Sequence, residues 1–148
     1  MTRVEFFFNV EDKLQKVAEL SVRAVGKGRR LHVYTPDAQV SEQLGRQLWT
    51  QPALSFLPHC AAENALADMT PVIIDSIGTT LPHDDILINL QVGHPPFFSR
   101  FRRLIEIVGQ TESDKAEARK RYRFYRDRGY EIRAFDANGA NLPHGGGQ

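Results

Sequence analysis

The residues of this 148-residue chain whose types could do chemistry are few and scattered. The five histidines are His32, His59, His83, His94 and His144, and no two of them stand at metal-ligand spacing. The single cysteine, Cys60, allows no intramolecular disulfide and its neighbourhood has no metal-ligand spacing, a usage that fits a reducing cytosol. His83-Asp84-Asp85 puts an acid, a base and a cation ligand side by side. Catalysis needs mutual geometry as well as residue types, and the triplet reads as a loop entering the apolar run "ILINL". No serine, cysteine or lysine stands in a nucleophile-elbow setting. A phosphate cradle is also missing. The junction after the first apolar run, "FNVEDK", has two acids and no glycine, and no G-x-x-x-x-G-K-[ST] occurs. "GKG" at Gly26 to Gly28 precedes a strand pattern instead of following one, so it reads as a helix stop. The sequence thus predicts no catalytic residues, no metal and no cofactor.

What the chain does concentrate is positive charge, in "DKAEARKRYRFYRDRGYEIR" from Asp114 to Arg133, against a formal net charge of only +1 for the whole. At 3.6 residues per turn Ala118, Tyr122 and Tyr125 share one side. Lys115, Arg119 and Arg126 form an adjoining stripe with Arg123 at its edge, and Tyr122 borders both. Glu117 and Arg121 stand at the spacing of a compensating pair, but Lys115–Arg119 and Arg119–Arg123 repel at that spacing. A helix that tolerates this repulsion suits an anionic partner, either nucleic-acid phosphate or an acidic peptide. Arginine's fork favours a carboxylate. Phe124 points elsewhere on the wheel. A second feature is "LWTQPALSFLPH", where Trp49 and Phe56 flank Pro52 on a stiffened segment. Two readings of these aromatics stand, core and interface hot spot.

The elements that must position these residues alternate from the start. "VEFFFNV", "RLHVYT", "PVIIDSI", "DILINL", "RRLIEIVG" and "YEIRAF" read as strands. Between them, Leu14, Val17, Ala18, Leu20, Ser21, Ala24 and Val25 make the apolar face of one helix, with Asn9 as a cap and Gly26 and Gly28 as stops. Val40, Leu44 and Leu48 stripe a second helix that Thr35 and Pro36 can start and that ends before Pro52. "PPFFSRF" reads as a short helical turn. The cationic helix follows, capped by Thr111 or Ser113 and ended by Gly129. The alternation predicts a three-layer α/β/α fold around a mostly parallel, mixed sheet. Residues 1–135 form the expected domain and 136–148 a flexible Gly-rich tail. No apolar run approaches the roughly 20 residues needed to span a bilayer. A net charge near zero argues against coating of nucleic acid by the whole surface.

Taken together and in this order, these segments resemble the chi subunit family of the bacterial DNA polymerase III holoenzyme. "LWTQPALSFLPH" is similar to the family's Leu-Trp-x-x-Pro-x-x-Ser-Phe-x-Pro-His segment, "DILINL" to its Asp-Ile-Leu-Ile-x-Leu strand, and "ARKRYRFYRDRGYEI" to the end of its cationic helix. The resemblance spans Val4 to Phe135. It implies a non-catalytic cytoplasmic subunit at the replisome. It also implies a one-to-one pairing with the psi subunit, which ties it to the clamp loader, and binding of the acidic C-terminal tail of single-stranded-DNA-binding protein. Lys115, Arg119, Tyr122 and Arg123 fall on the family's tail-binding positions, with Val108 in the apolar pocket. Arg123 stands where lysine is common. Trp49 and Phe56 fall on the psi-facing positions. Two competing readings remain: a direct nucleic-acid binder using the 114–128 helix, and a small α/β enzyme acting on an anionic metabolite.

Overall fold

The computed structural model describes residues 2–50 and 58–137, without the side chains of Trp49 and Thr50. The chain runs β1 (Arg3–Phe8), α1 (Lys13–Gly26), β2 (Leu31–Tyr34), α2 (Ala38–Thr50), β3 (His59–Ala61), β4 (Val72–Asp75), β5 (Ile86–Asn89), β6 (Arg103–Ile107), α3 (Glu112–Asp127) and β7 (Ile132–Asp136). Short 3-10 turns cover Ala67–Met69 and, in the "PPFFSRF" segment, Phe98–Arg100. The strands form one seven-stranded sheet in the order β3-β4-β2-β5-β6-β1-β7. Every described pairing is parallel, so the expected mixed sheet is corrected to a parallel one. The central strands read as unbroken apolar runs because both of their faces are covered. β2, β4 and β5 are buried along their whole length.

Two cores result, one on each face. On the first, Val17, Ala18 and Leu20 of α1 and Leu44 and Leu48 of α2 pack on Val33, Ile74, Ile88 and Ile105. On the other, Ala118 and Tyr125 of α3 pack on Val4, Phe6, Leu104 and Val108. Loops complete this second face over β2 and β5 through Leu81, Phe97, Phe98 and Phe101. Successive side chains of a strand alternate sides. Phe6 therefore joins the α3 core while Phe7 packs on the α1 side.

The boundaries differ from expectation at three places, each for a local reason. Asn9 does not cap α1. It sits at φ 60°, a turn conformation asparagine tolerates, and its amide bonds Asp136. Asp12 is the cap, accepting the Gln15 N–H at 3.1 Å. Thr35 does not cap α2, because it is buried as a continuation of β2 and bonds the Asp75 carbonyl. Asp37 takes that role, accepting the Gln39 N–H at 2.9 Å. β3 forms in a stretch whose composition reads as loop. At three residues it is too short for a periodic signal, and it pairs in the sheet with β4. The C-terminal tail from residue 138 lies outside the described residues.

Candidate functional site

The site is built on α3, whose start is fixed from three sides. Thr111 caps it by accepting the Asp114 N–H at 3.1 Å. The Asp114 carboxylate accepts the Gly109 N–H and pairs with Lys13 of α1 at 3.2 Å. A Cβ at Gly109 would stand 3.0 Å from that carboxylate, so glycine is what lets the turn approach it. Glu112 and Asp114 also place negative charge where the helix dipole favours it.

The inner side of α3 is held by a buried carboxylate that the apolar pattern of β6 conceals. Glu106 is fully buried. It accepts bonds from Arg121 Nε at 2.9 Å, Tyr125 OH at 2.6 Å and Asn89 Nδ2 at 3.0 Å. Arg121 reaches on to the Val92 carbonyl at 2.7 Å. Burial raises the Glu106 pKa against the opposing pull of Arg121, Tyr125 and Asn89. Burial beside that carboxylate raises Tyr125 as well. Arg121 therefore does not pair with Glu117, as their spacing suggested; Glu117 pairs with Lys120 at 3.1 Å. Phe124 also finds a place. Its ring stacks on His94 at 3.6 Å, and the Arg128 guanidinium stands 3.7 Å from it. Burial, then the Arg128 charge, lowers the His94 pKa.

On its other side α3 borders an open groove of about 370 Å³ against the ends of β1 and β7. Val108, Ala118 and Phe6 contribute buried apolar surface. Tyr122, Phe8 and Ala134 extend it, and Lys115 and Arg119 add the positive charge. The Tyr122 ring packs on Phe6 with centroids 5.7 Å apart. Lys115 is loosely paired with Glu112 at 3.6 Å. Among the described residues, Arg119 and Arg123 have no ion pair or hydrogen bond and are exposed. The structure thus brings Val108, Lys115, Arg119 and Tyr122 into one groove and leaves Arg123 one turn beyond its lining. The Trp49 side chain and Phe56 lie outside the described residues.

Sequence reasoning missed the groove's other half, Phe6, Phe8 and Ala134, because strand pairing brings these distant segments beside α3. It also missed the Glu106 cluster, although one acid inside "LIEIV" was a signal: a carboxylate on a buried strand needs a cation. Among the described residues the histidines do not form a metal site. His32 bonds Asp75 at 2.8 Å with both side chains fully buried. Burial pushes the Asp75 carboxyl up, but bonds from His32, Ile77 and Gly78 hold it below its ordinary value. No group of three or more potential metal ligands occurs among the described residues. No described helix is long and apolar enough to cross a membrane.

The family model for the DNA polymerase III chi subunit, HolC, matches residues 1–133. DNA polymerase III subunit chi of Pseudomonas aeruginosa is 30% identical over 136 residues, covering 89% of this chain and 94% of its own length. That of Escherichia coli K12 is 30% identical over 119 residues, covering 80% of this chain and 81% of its own. That of Haemophilus influenzae is 26% identical over 133 residues, covering 86% and 92%. With a family match over residues 1–133 and relatives of nearly equal length, the chain belongs to the DNA polymerase III chi subunit family, that of a non-catalytic accessory subunit of DNA polymerase III.

Proposed function

We propose that the chain works as an adaptor in DNA replication. It joins the clamp loader, through a one-to-one complex with the psi subunit, to the acidic C-terminal tail of single-stranded-DNA-binding protein. One observation carries the second half: an apolar groove has the unpaired Arg119 at its edge and Lys115 beside it. Those are complements for a peptide that ends in an apolar ring and a carboxylate. The ring would bury against Val108, Phe6 and Tyr122, and the carboxylate would take the Arg119 fork, with Arg123 adding charge along the chain. The first half rests on Trp49 and Phe56 as aromatic anchors for psi. β3, an edge strand of the sheet, begins at His59, three residues after Phe56. A cytoplasmic place at the replisome follows from this role.

Direct nucleic-acid binding by α3 is the lesser reading. Arg121 is buried on Glu106, Lys120 pairs with Glu117 and Arg126 with Asp127. Arg121 is thus withdrawn from the surface, and the exposed Lys120 and Arg126 are partly offset by neighbouring carboxylates.

Fluorescence polarisation with an acidic, Phe-terminated peptide tests the adaptor. The wild type binds saturably, and Arg119→Glu loses binding while keeping its psi complex. Undiminished binding by that variant contradicts the groove assignment. For psi, Trp49→Ala weakens the complex by about 2 kcal/mol or more, as expected of a hot spot. Unfolding of that variant by circular dichroism instead makes Trp49 a core residue.

A further inference from the structure

The opposite face of the sheet carries a second cationic hollow that the adaptor role does not use. α1 lies against β2 and α2, over the middle of the sheet. Toward β1 and β7 it leaves a pocket of about 640 Å³, within the roughly 300–1,000 Å³ of known ligand sites. Five cations line it, Lys16, Arg23, Lys27, Arg29 and Arg103, against two carboxylates, Glu5 and Asp136. Glu5 is already neutralised by Arg103 at 2.6 Å and Arg3 at 3.1 Å. Asp136 accepts the Asn9 amide at 3.2 Å. Among the described residues, Arg29 and Lys16 make only long pairs, at 3.7 Å to Asp85 and 3.8 Å to Glu19. Arg23 and Lys27 are exposed and have no ion pair among the described residues.

The hollow is not merely charged. Phe7 of β1 and Phe135 of β7 are cross-strand neighbours whose rings stack at 5.1 Å and 25°. Both remain partly exposed to the pocket, and Lys16 Nζ stands 5.0 Å above Phe7. A flat aromatic surface rimmed by cations matches one chemistry: unpaired bases that stack on the rings while their phosphates meet Lys and Arg. A duplex hides its base faces, and a peptide with acidic side chains alone would use the charge but leave the ring pair idle.

We propose that this hollow is a docking site for a short stretch of single-stranded nucleic acid, with Phe7 and Phe135 as the stacking surface and Arg23, Lys27 and Arg29 as phosphate contacts. The site lies across the sheet from the α3 groove and is independent of it. One face would hold a protein tail while the other touches the strand itself.

The test is fluorescence polarisation of a labelled oligothymidylate with the isolated full chain, folding of each variant being checked by circular dichroism. Saturable binding is expected at low salt. The slope of log affinity against log salt is about −2, since each phosphate neutralised on a single strand contributes about −0.7. Arg23→Glu with Lys27→Glu weakens it at least tenfold and leaves the acidic peptide bound as before. Phe135→Ser weakens the oligonucleotide roughly tenfold, in the range of one stacked base, and Phe135→Tyr restores it. Arg119→Glu does the reverse, losing peptide and keeping oligonucleotide, so the two sites fail separately. The proposal is overturned by the absence of saturable binding, or by loss of binding in Arg119→Glu instead of the Arg23/Lys27 variant. Insensitivity to Phe135→Ser, with heparin competing as well as DNA, also overturns it, because that makes the hollow a general polyanion surface.

Discussion

Arg119 and Arg121 stand two residues apart on α3 and have opposite fates. Arg121 is 5% exposed, and the Glu106 carboxylate, the Val92 carbonyl and the shared network with Tyr125 and Asn89 consume its charge. Arg119 is exposed beside an apolar groove and has no ion pair or hydrogen bond among the described residues. The helix period alone separates them: a step of two residues turns the side chain by about 200°. The inner side uses a cation to bind the helix to the sheet. Beside the groove, Arg119 and, one turn on, Arg123 have no ion pair among the described residues. A count of arginines on α3 therefore overstates the charge it presents, which supports the proposed peptide over a polyanion as its partner.

The strongest way to break the contrast is to remove the inner cation. Arg121→Met strands Glu106 in the core and should cost about 3–5 kcal/mol in urea unfolding, the loss expected for a buried pair missing one member. A loss below about 1 kcal/mol would mean that the cluster does not hold α3. The outer cation should show the reverse profile. Arg119→Ala leaves stability within about 0.5 kcal/mol of wild type, as for a surface change. It lowers affinity for an acidic peptide by about 1.5–3 kcal/mol, the contribution of a hydrogen bond to a charged group. Thr111→Ala touches both sides at once by loosening the start of the helix. It should lower stability by about 1 kcal/mol, read from the same unfolding curves. A further effect is in pH, at the end of the α3-side face that loops cover. Burial, the largest cause, and the positive charge of Arg30 hold His83 down at about 4 from an ordinary 6.5. The unfolded chain binds this proton between those values while the folded chain does not, so stability falls as pH drops from about 6.5 to about 4. His83→Gln should flatten that limb in unfolding curves taken across it.

Much of this was legible in the residues. Six strands and three helices follow from apolar runs and periodicity, and Thr111 and Gly129 bound α3 as their types suggest. The groove's helical half, Lys115, Arg119 and Tyr122, follows from the wheel. What was hidden depends on pairing across the chain. β1 receives β6 on one side and β7 on the other, with Val4 beside both Leu104 and Ile132. That arrangement brings Phe6, Phe8 and Ala134 to the groove and sets Phe7 against Phe135 on the far face. Nothing local announces these neighbours. Arg121 misled for a related reason: Glu117 is its partner by spacing, but Glu106 on the adjacent strand offers a buried carboxylate that must be neutralised. Asn9 and Asp12 show the same competition at smaller scale, since either can cap a helix and the end of β1 decides which one does.

The central claim is that Arg119 reads a terminal carboxylate at the edge of the α3 groove. A double-mutant cycle tests it most directly. The affinity of an acidic, Phe-terminated peptide is measured with a free carboxylate and with a C-terminal amide, against wild type and against Arg119→Ala. The account predicts that amidation weakens wild-type binding at least tenfold and leaves the already weakened Arg119→Ala complex nearly unchanged. Equal losses on amidation in both proteins would show that Arg119 and the carboxylate do not meet, and would contradict the assignment.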